Sequence, residues 1–173
     1  MKPIPVEGHT TLDWVKPKSF RRTFELRSTE GLVGTLKFVQ NDYQLAIAET
    51  ANGVWLFRET RYVIPRISIW TQNQKYVAAF EGSRSGNGSL EFLDGRKYHW
   101  NYKDTMQTDW VFFDTAGKEI LCFMPSFGRG KVRGKLQVNP RAVEIQDLSI
   151  LCLLGWNIVI FFDEQESVFF MTR

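Results

Sequence analysis

The chain of 173 residues has little of the chemistry from which most active sites are built. It contains two histidines and two cysteines, and no pair among them has the close spacing of a zinc motif: His9, His99, Cys122 and Cys152. A nucleophile elbow and a Walker-type phosphate loop are also missing. The sequence therefore predicts no metal, no cofactor and no catalytic residue, and it favours a binding or scaffold protein over an enzyme.

The N-terminal segment gives no sign of export. Residues 1–8 are polar and proline-rich, and they lack the apolar core of a secretory signal. Both cysteines lie in apolar stretches, which indicates small buried side chains, although a Cys122–Cys152 disulfide stays open. These features predict a cytoplasmic protein with reduced cysteines. If its basic residues bind lipid, the protein would be peripherally attached to a membrane.

Positive charge is concentrated in one stretch near the C-terminus. The chain has 22 basic and 19 acidic residues, a net charge of +3. Four of the basic residues alternate with Gly130, Val132 and Gly134: Arg129, Lys131, Arg133 and Lys135. Without these four the net charge would be −1. In a strand, alternate residues share a face. The four cations would then point outward, and the glycines would leave room inside for a bulky neighbour.

Such a row of cations predicts an anion-binding site for phosphate groups or anionic lipid. The alternative is a solvated edge strand whose charges prevent aggregation. Nucleic acid is the least favoured partner, because the net charge is small and the tryptophans have core-like neighbours.

Short apolar runs separated by turn residues predict a mainly β protein. Aromatic residues make up 14% of the chain, which favours strands. Hairpin turns are expected at Asn52-Gly53, at Asp94-Gly95 and at 114–117, and strands at this spacing are typical of a sandwich or barrel. Pro65 predicts a strand edge or a bulge. Residues 1–19, with three prolines, are predicted to form an arm along a single domain over 20–173.

The acidic residues of this region could pair as catalytic carboxylates, but Asp favours turns. We therefore expect four of them to cap turns or solvate strand ends: Asp104, Asp109, Asp114 and Glu119.

An uncharged segment, Leu148–Phe162, interrupts the strand pattern, with Ser149 and Asn157 as its polar side chains. Asn139 and Pro140 suit a helix start, and Asp163 ends the run. A strand over the last part is the alternative. Fifteen helical residues span about 22 Å, short of the ~30 Å of a bilayer core. The sequence therefore favours a buried central helix over a membrane anchor.

The order of these elements resembles the tubby C-terminal-like superfamily, in its LURP-one-related and phospholipid-scramblase-like branch. The resemblance is carried within residues 20–165 by Ala48–Phe57, Leu90–Trp100, Trp110–Ile120 and Ile145–Phe162. It implies that the strands close into a barrel around the C-terminal helix. Members similar to tubby proper bind phosphoinositide head groups through basic residues. The calcium segment of the scramblases has no counterpart here.

Pattern and resemblance together predict a closed antiparallel β-barrel around a buried apolar helix near residues 145–162. The expected function is a non-enzymatic binding or scaffold domain that binds phosphoinositide or another anionic ligand weakly. Two alternatives remain: a lipocalin-like barrel that holds an apolar small molecule, and an enzyme whose site no motif shows. The first alternative requires an empty barrel interior, which the predicted helix would fill.

Overall fold

A computed structural model describes residues 1–6, 8–18, 21–40, 42–61, 64–126 and 131–171, without the side chains of residues 43, 61 and 165–171. The described residues form twelve strands: β1 (Thr10–Val15), β2 (Thr23–Ser28), β3 (Gly31–Val39), β4 (Asp42–Thr50), β5 (Gly53–Arg61), β6 (Pro65–Thr71), β7 (Tyr76–Gly82), β8 (Gly88–Phe92), β9 (Lys97–Tyr102), β10 (Trp110–Phe113), β11 (Glu119–Pro125) and β12 (Val132–Val138). A 3-10 helix (Pro140–Glu144) and a long helix α1 (Leu148–Met171) follow.

The strands form one closed antiparallel barrel. Each strand pairs with its neighbours in sequence, and β1 pairs with β12 to complete the ring. Closure removes the free edges that an open sheet would present. The predicted fold class, a closed β-barrel around a buried C-terminal helix, is confirmed.

The N-terminal arm predicted over residues 1–19 is wrong for Thr10–Val15, which is a full barrel strand paired on both sides. Leu12 and Trp14 are completely buried, while their neighbours in β1 are partly or fully exposed. This alternation is short, and the prolines on either side of it obscure its strand character. Trp14 does fix the segment to the domain, since its ring stacks on Trp156 at a centroid distance of 5.0 Å.

The three predicted hairpins are confirmed, with one shift. Thr50 pairs with Gly53, so the first turn consists of Ala51 and Asn52 and not of Asn52-Gly53. The second connects β8 to β9, and the third connects β10 to β11. In the third, Asp114 Oδ1 accepts hydrogen bonds from the backbone nitrogens of Ala116 at 2.9 Å and Lys118 at 2.8 Å.

Pro65 lies neither at a sheet edge nor in a bulge. It is the first residue of β6 and stands opposite Arg61. A first position tolerates the missing N–H of proline. The irregularity in this part of the barrel lies instead between Ile69 and Trp70.

Helix α1 fills the barrel, and every residue from Leu148 to Phe161 is buried. The predicted buried helix is therefore confirmed, but it continues past Phe162 to Met171. Asp163 is partly exposed and Glu164 is exposed, so neither charged residue ends the helix, because an exposed position of a helix accommodates a charge. In the part of the chain that the structure describes, no helix is both long and apolar enough to cross a membrane.

The helix start differs from the sequence prediction. Asn139 accepts a hydrogen bond from Arg141 N at 3.1 Å, so it caps the separate 3-10 helix. The start of α1 is fixed instead by Asp147, which contacts Arg96 and accepts a hydrogen bond from Tyr98 Oη at 3.3 Å. Burial, and then the charge of Asp147, raise the pKa of Tyr98 to about 12.

Glycines allow the strands to approach the helix. A Cβ atom on Gly155 would lie 2.1 Å from Phe123 Cζ, and one on Gly134 would lie 2.8 Å from Trp156 Cη2. Both distances are well below van der Waals contact. The prediction that Gly134 faces inward and makes room for a central helix is therefore confirmed.

Candidate anion-binding surface

The residues of the predicted row of cations differ in their position and in their exposure. Lys131 is exposed and precedes β12, while Lys135 is exposed within β12, opposite Asp13 of β1 and Met124 of β11. Arg133 is half-buried. Arg129 and Gly130 lie outside the described residues. The structure therefore locates three of the four predicted residues.

A β-bulge separates these side chains. Trp14 pairs with Gly134, but Val15 pairs with Val132, so Arg133 is the extra residue in β12. Beyond an extra residue, the alternation of a strand is reversed. Val132 is accordingly 45% exposed, so the prediction that it faces the interior is wrong. The described cations therefore do not follow one uninterrupted alternation along the strand.

Two basic residues that flank strands β1 and β2 lie at the same end of the barrel as Arg133. Lys16 follows β1, and its Nζ lies 5.6 Å from the ring centroid of Phe24. Arg22 precedes β2, and its Cζ lies 4.2 Å from the ring centroid of Phe38. Both rings are buried. We call Lys16, Arg22 and Arg133 the mouth cluster, since they lie where α1 leaves the barrel.

The pKa of Lys16 is lowered in the mouth cluster. Burial lowers this pKa most, and repulsion from Arg133 and Arg22 lowers it further. Glu164 and Asp163, the first charged residues of α1 beyond its buried part, act in the opposite direction. Like charges in a half-buried position favour the binding of an anion.

One carboxylate already lies within the mouth cluster. Glu164 Oε1 forms an ion pair with Arg22 Nη2. Arg22 and Glu164 are 26% and 46% exposed, so the pair is accessible to solvent. An incoming anion would therefore compete with Glu164 for Arg22.

Lys16 and Arg22 were not among the predicted site residues, although the sequence carries a signal for them. Residues 16–22 contain Lys16, Lys18, Arg21 and Arg22, as many cations as the stretch from 129 to 135. The conclusion that the excess charge lies in one stretch was therefore incomplete. The closure of β1 on β12 brings the two stretches together, since Lys16 N donates a hydrogen bond to Lys131 O at 2.8 Å.

The acidic residues considered as a carboxylate pair have structural roles. Asp104 Oδ1 accepts a hydrogen bond from Met106 N at 3.0 Å, and Asp114 organises the β10–β11 turn. Glu119 Oε1 lies 3.4 Å from Lys103 Nζ. The predicted capping of turns is confirmed for Asp104 and Asp114. Among the described residues, no three His, Cys, Asp or Glu side chains are grouped so as to hold a metal ion.

Both cysteines are buried thiols in separate parts of the molecule. Cys152 lies within α1, and Cys122 lies on β11 between Leu121 and Phe123. Burial raises the pKa of Cys122 to about 11, although Lys103 Nζ at 3.7 Å acts in the opposite direction. Burial also raises the pKa of Cys152. Neither thiol is therefore activated as a nucleophile near neutral pH.

We expect thiol titration of denatured, unreduced protein to find two free thiols per chain. Under native conditions both should react slowly, because each side chain is almost completely buried. A chemically reduced sample gives the reference value. Absence of free thiols without modification or an intermolecular link would indicate a Cys122–Cys152 bridge and would contradict this arrangement.

Comparison of the chain with protein-family models, with curated proteins and with solved structures gave no match. The resemblance to the tubby C-terminal-like superfamily therefore stays a prediction from the order and spacing of the elements.

Proposed function

We propose that this protein is a non-enzymatic binding domain of tubby-like fold that holds phosphate-bearing anions, phosphoinositide head groups among them, at the mouth cluster. The observation that supports the proposal is the position of Lys16, whose half-buried ammonium is repelled by Arg22 and Arg133. A bound phosphate would relieve this repulsion, because it replaces like-charge contacts with opposite ones.

The residue types suit phosphate. Guanidinium groups present paired N–H donors that match phosphate oxygens, and an ammonium adds a compact charge. Lys131 just before β12 and Lys135 within it are both exposed, and they would add to the positive field.

The expected affinity is low without further contacts. Each basic residue near an anionic membrane contributes about 1 kcal/mol. Three or four residues then give roughly 3–4 kcal/mol, equivalent to a dissociation constant in the millimolar range. Binding should weaken with salt, since the Debye length falls to about 8 Å at physiological ionic strength. A membrane that presents many head groups is therefore a better target than a single soluble phosphate.

The lipocalin-like alternative has less support, because α1 fills the space that an apolar ligand would need. Leu151, Leu153 and Leu154 are all completely buried there. The enzyme alternative has no specific observation in its favour.

Co-sedimentation with vesicles tests the proposed function. Phosphatidylcholine vesicles that contain phosphatidylinositol 4,5-bisphosphate should pellet the parent protein at low salt, and less of it at physiological salt. Replacing Lys16 and Arg133 by Gln should remove most of the pelleting. The matched control replaces Lys75 and Arg141, two exposed cations at the opposite end of the barrel, and should pellet like the parent. Equal pelleting of the parent and the mouth-cluster variant would contradict the proposal.

Two further variants refine the same experiment. Glu164→Gln removes the carboxylate that pairs with Arg22, so this variant should pellet more than the parent. A variant with both Lys131 and Lys135 changed to Gln measures how much these two exposed residues of the predicted row contribute to pelleting. A decrease in pelleting for Glu164→Gln would contradict competition between Glu164 and the ligand for Arg22.

A further inference from the structure

A groove of about 700 Å³ crosses the outer wall of the barrel over β7 to β10, away from the mouth cluster. Strand register places four of its side chains in one transverse row. Glu81 stands opposite Ser89, Ser89 opposite His99, and His99 opposite Phe113. Cross-strand neighbours of this kind lie close enough to contact one ligand together.

Gly88 lines the groove, and a side chain at this position would point into the barrel interior. A Cβ atom on Gly88 would lie 2.5 Å from Phe80 Cζ and 2.7 Å from the carbonyl oxygen of Glu81. A larger residue at this position would require the buried ring of Phe80 to move. The groove shares Glu81, Ser89 and Lys97 with a second depression of about 430 Å³.

The charged side chains of the groove are already paired with protein partners. Glu81 forms an ion pair with Arg66, and Lys97 Nζ lies 3.7 Å from Glu91 Oε2. An ionic ligand would have to displace one of these partners. The groove therefore offers little net attraction to an anion or a cation, unlike the mouth cluster.

The uncharged polar side chains show the opposite pattern. Within the described part of the chain, the side chains of Ser89, His99 and Thr115 line the groove without a hydrogen-bond partner in the protein, and those of His99 and Thr115 are exposed. Hydroxyl and imidazole groups can both donate and accept hydrogen bonds. Next to them, the half-buried ring of Phe113 supplies an apolar surface.

From this distribution we infer that the groove binds a neutral polyhydroxylated ligand, such as one or two sugar rings. Sugar hydroxyls would bond to Ser89, His99 and Thr115, and the C–H face of a ring would pack on Phe113. A cleft of several hundred cubic ångströms, in which polar groups converge beside an apolar ring, has the size of a small-ligand site.

Nuclear magnetic resonance titration of the full chain tests this inference. The probes are glucose, maltose, cellobiose and diacetylchitobiose, each raised to about 20 mM so that millimolar affinities are detected. At least one sugar should shift the amide signals of Ser89, His99 and Phe113. His99→Ala should weaken its binding at least fivefold, and Ser89→Tyr should fill the groove and abolish it. His9→Ala, at the other histidine of the chain, should have no effect.

Three results would overturn the inference. The first is that no probe shifts these amides, and the second is that binding is unchanged in both groove variants while their spectra show a native fold. The third is tighter binding of glucose 6-phosphate than of glucose at the same amides, since the groove would then prefer a charged ligand. Vesicle pelleting should be unchanged in Ser89→Tyr, so the outcomes for the groove and for the mouth cluster are independent.

Discussion

Replacing Leu154 by Ala is expected to lower the free energy of unfolding by about 2–5 kcal/mol, through lost burial and the cavity left behind. Leu154 is completely buried in α1, as is Leu151, for which the same change should have a similar effect. Urea denaturation followed by tryptophan fluorescence measures the difference. Leu93→Ala is the matched control, because Leu93 is 70% exposed and should change stability by less than about 0.5 kcal/mol.

A charge at the same positions should have a larger effect. Leu154→Lys or Leu151→Lys would place an unpaired ammonium inside the barrel, and we expect neither variant to accumulate as folded protein. Recovery of folded Leu154→Lys with the thermal stability of the parent would show that α1 does not fill the barrel.

Gly155→Ala should destabilise the protein, although Ala is the better helix former. In an exposed helix this change stabilises by about 1 kcal/mol. Here the added methyl group would overlap the ring of Phe123, and overpacking of a core costs about 1–3 kcal/mol. Phe123→Leu should relieve the overlap, so the double variant should lose less stability than the sum of the two single changes.

A double-mutant cycle from urea denaturation measures this coupling directly. The expected coupling between positions 123 and 155 is favourable and exceeds 0.5 kcal/mol, as for residues in contact. A stabilising effect of Gly155→Ala alone would mean that helix and wall do not approach each other at this position.

The parts of the fold that local sequence encodes were predictable. Asp114 and Gly117 define a turn through their own backbone and side-chain preferences, and the hairpin around them follows. The helix was predictable because Leu148–Phe162 carries no charge over fifteen residues, which only a buried segment tolerates.

The parts that depend on two distant segments were not predictable. The bulge at Arg133 exists because β12 pairs with β1, and the sequence of β12 alone follows an uninterrupted alternation. The mouth cluster likewise depends on the pairing of the first strand with the last, because only this pairing makes Lys16 and Arg133 neighbours. Similarly, Thr10–Val15 shows its role as a strand only when both neighbours of β1 are known.

The pairing of β1 with β12 also constrains the order of events during folding. Thr10 meets Val138, so the ring closes between two segments separated by almost the whole sheet, and such distant contacts form slowly. The segment that fills the ring, α1, follows all twelve strands in the chain. During synthesis the ring therefore cannot close before β12 has emerged, and its apolar inner face lacks its partner until residues 148–161 follow. We expect the chain to be most prone to aggregation at that stage.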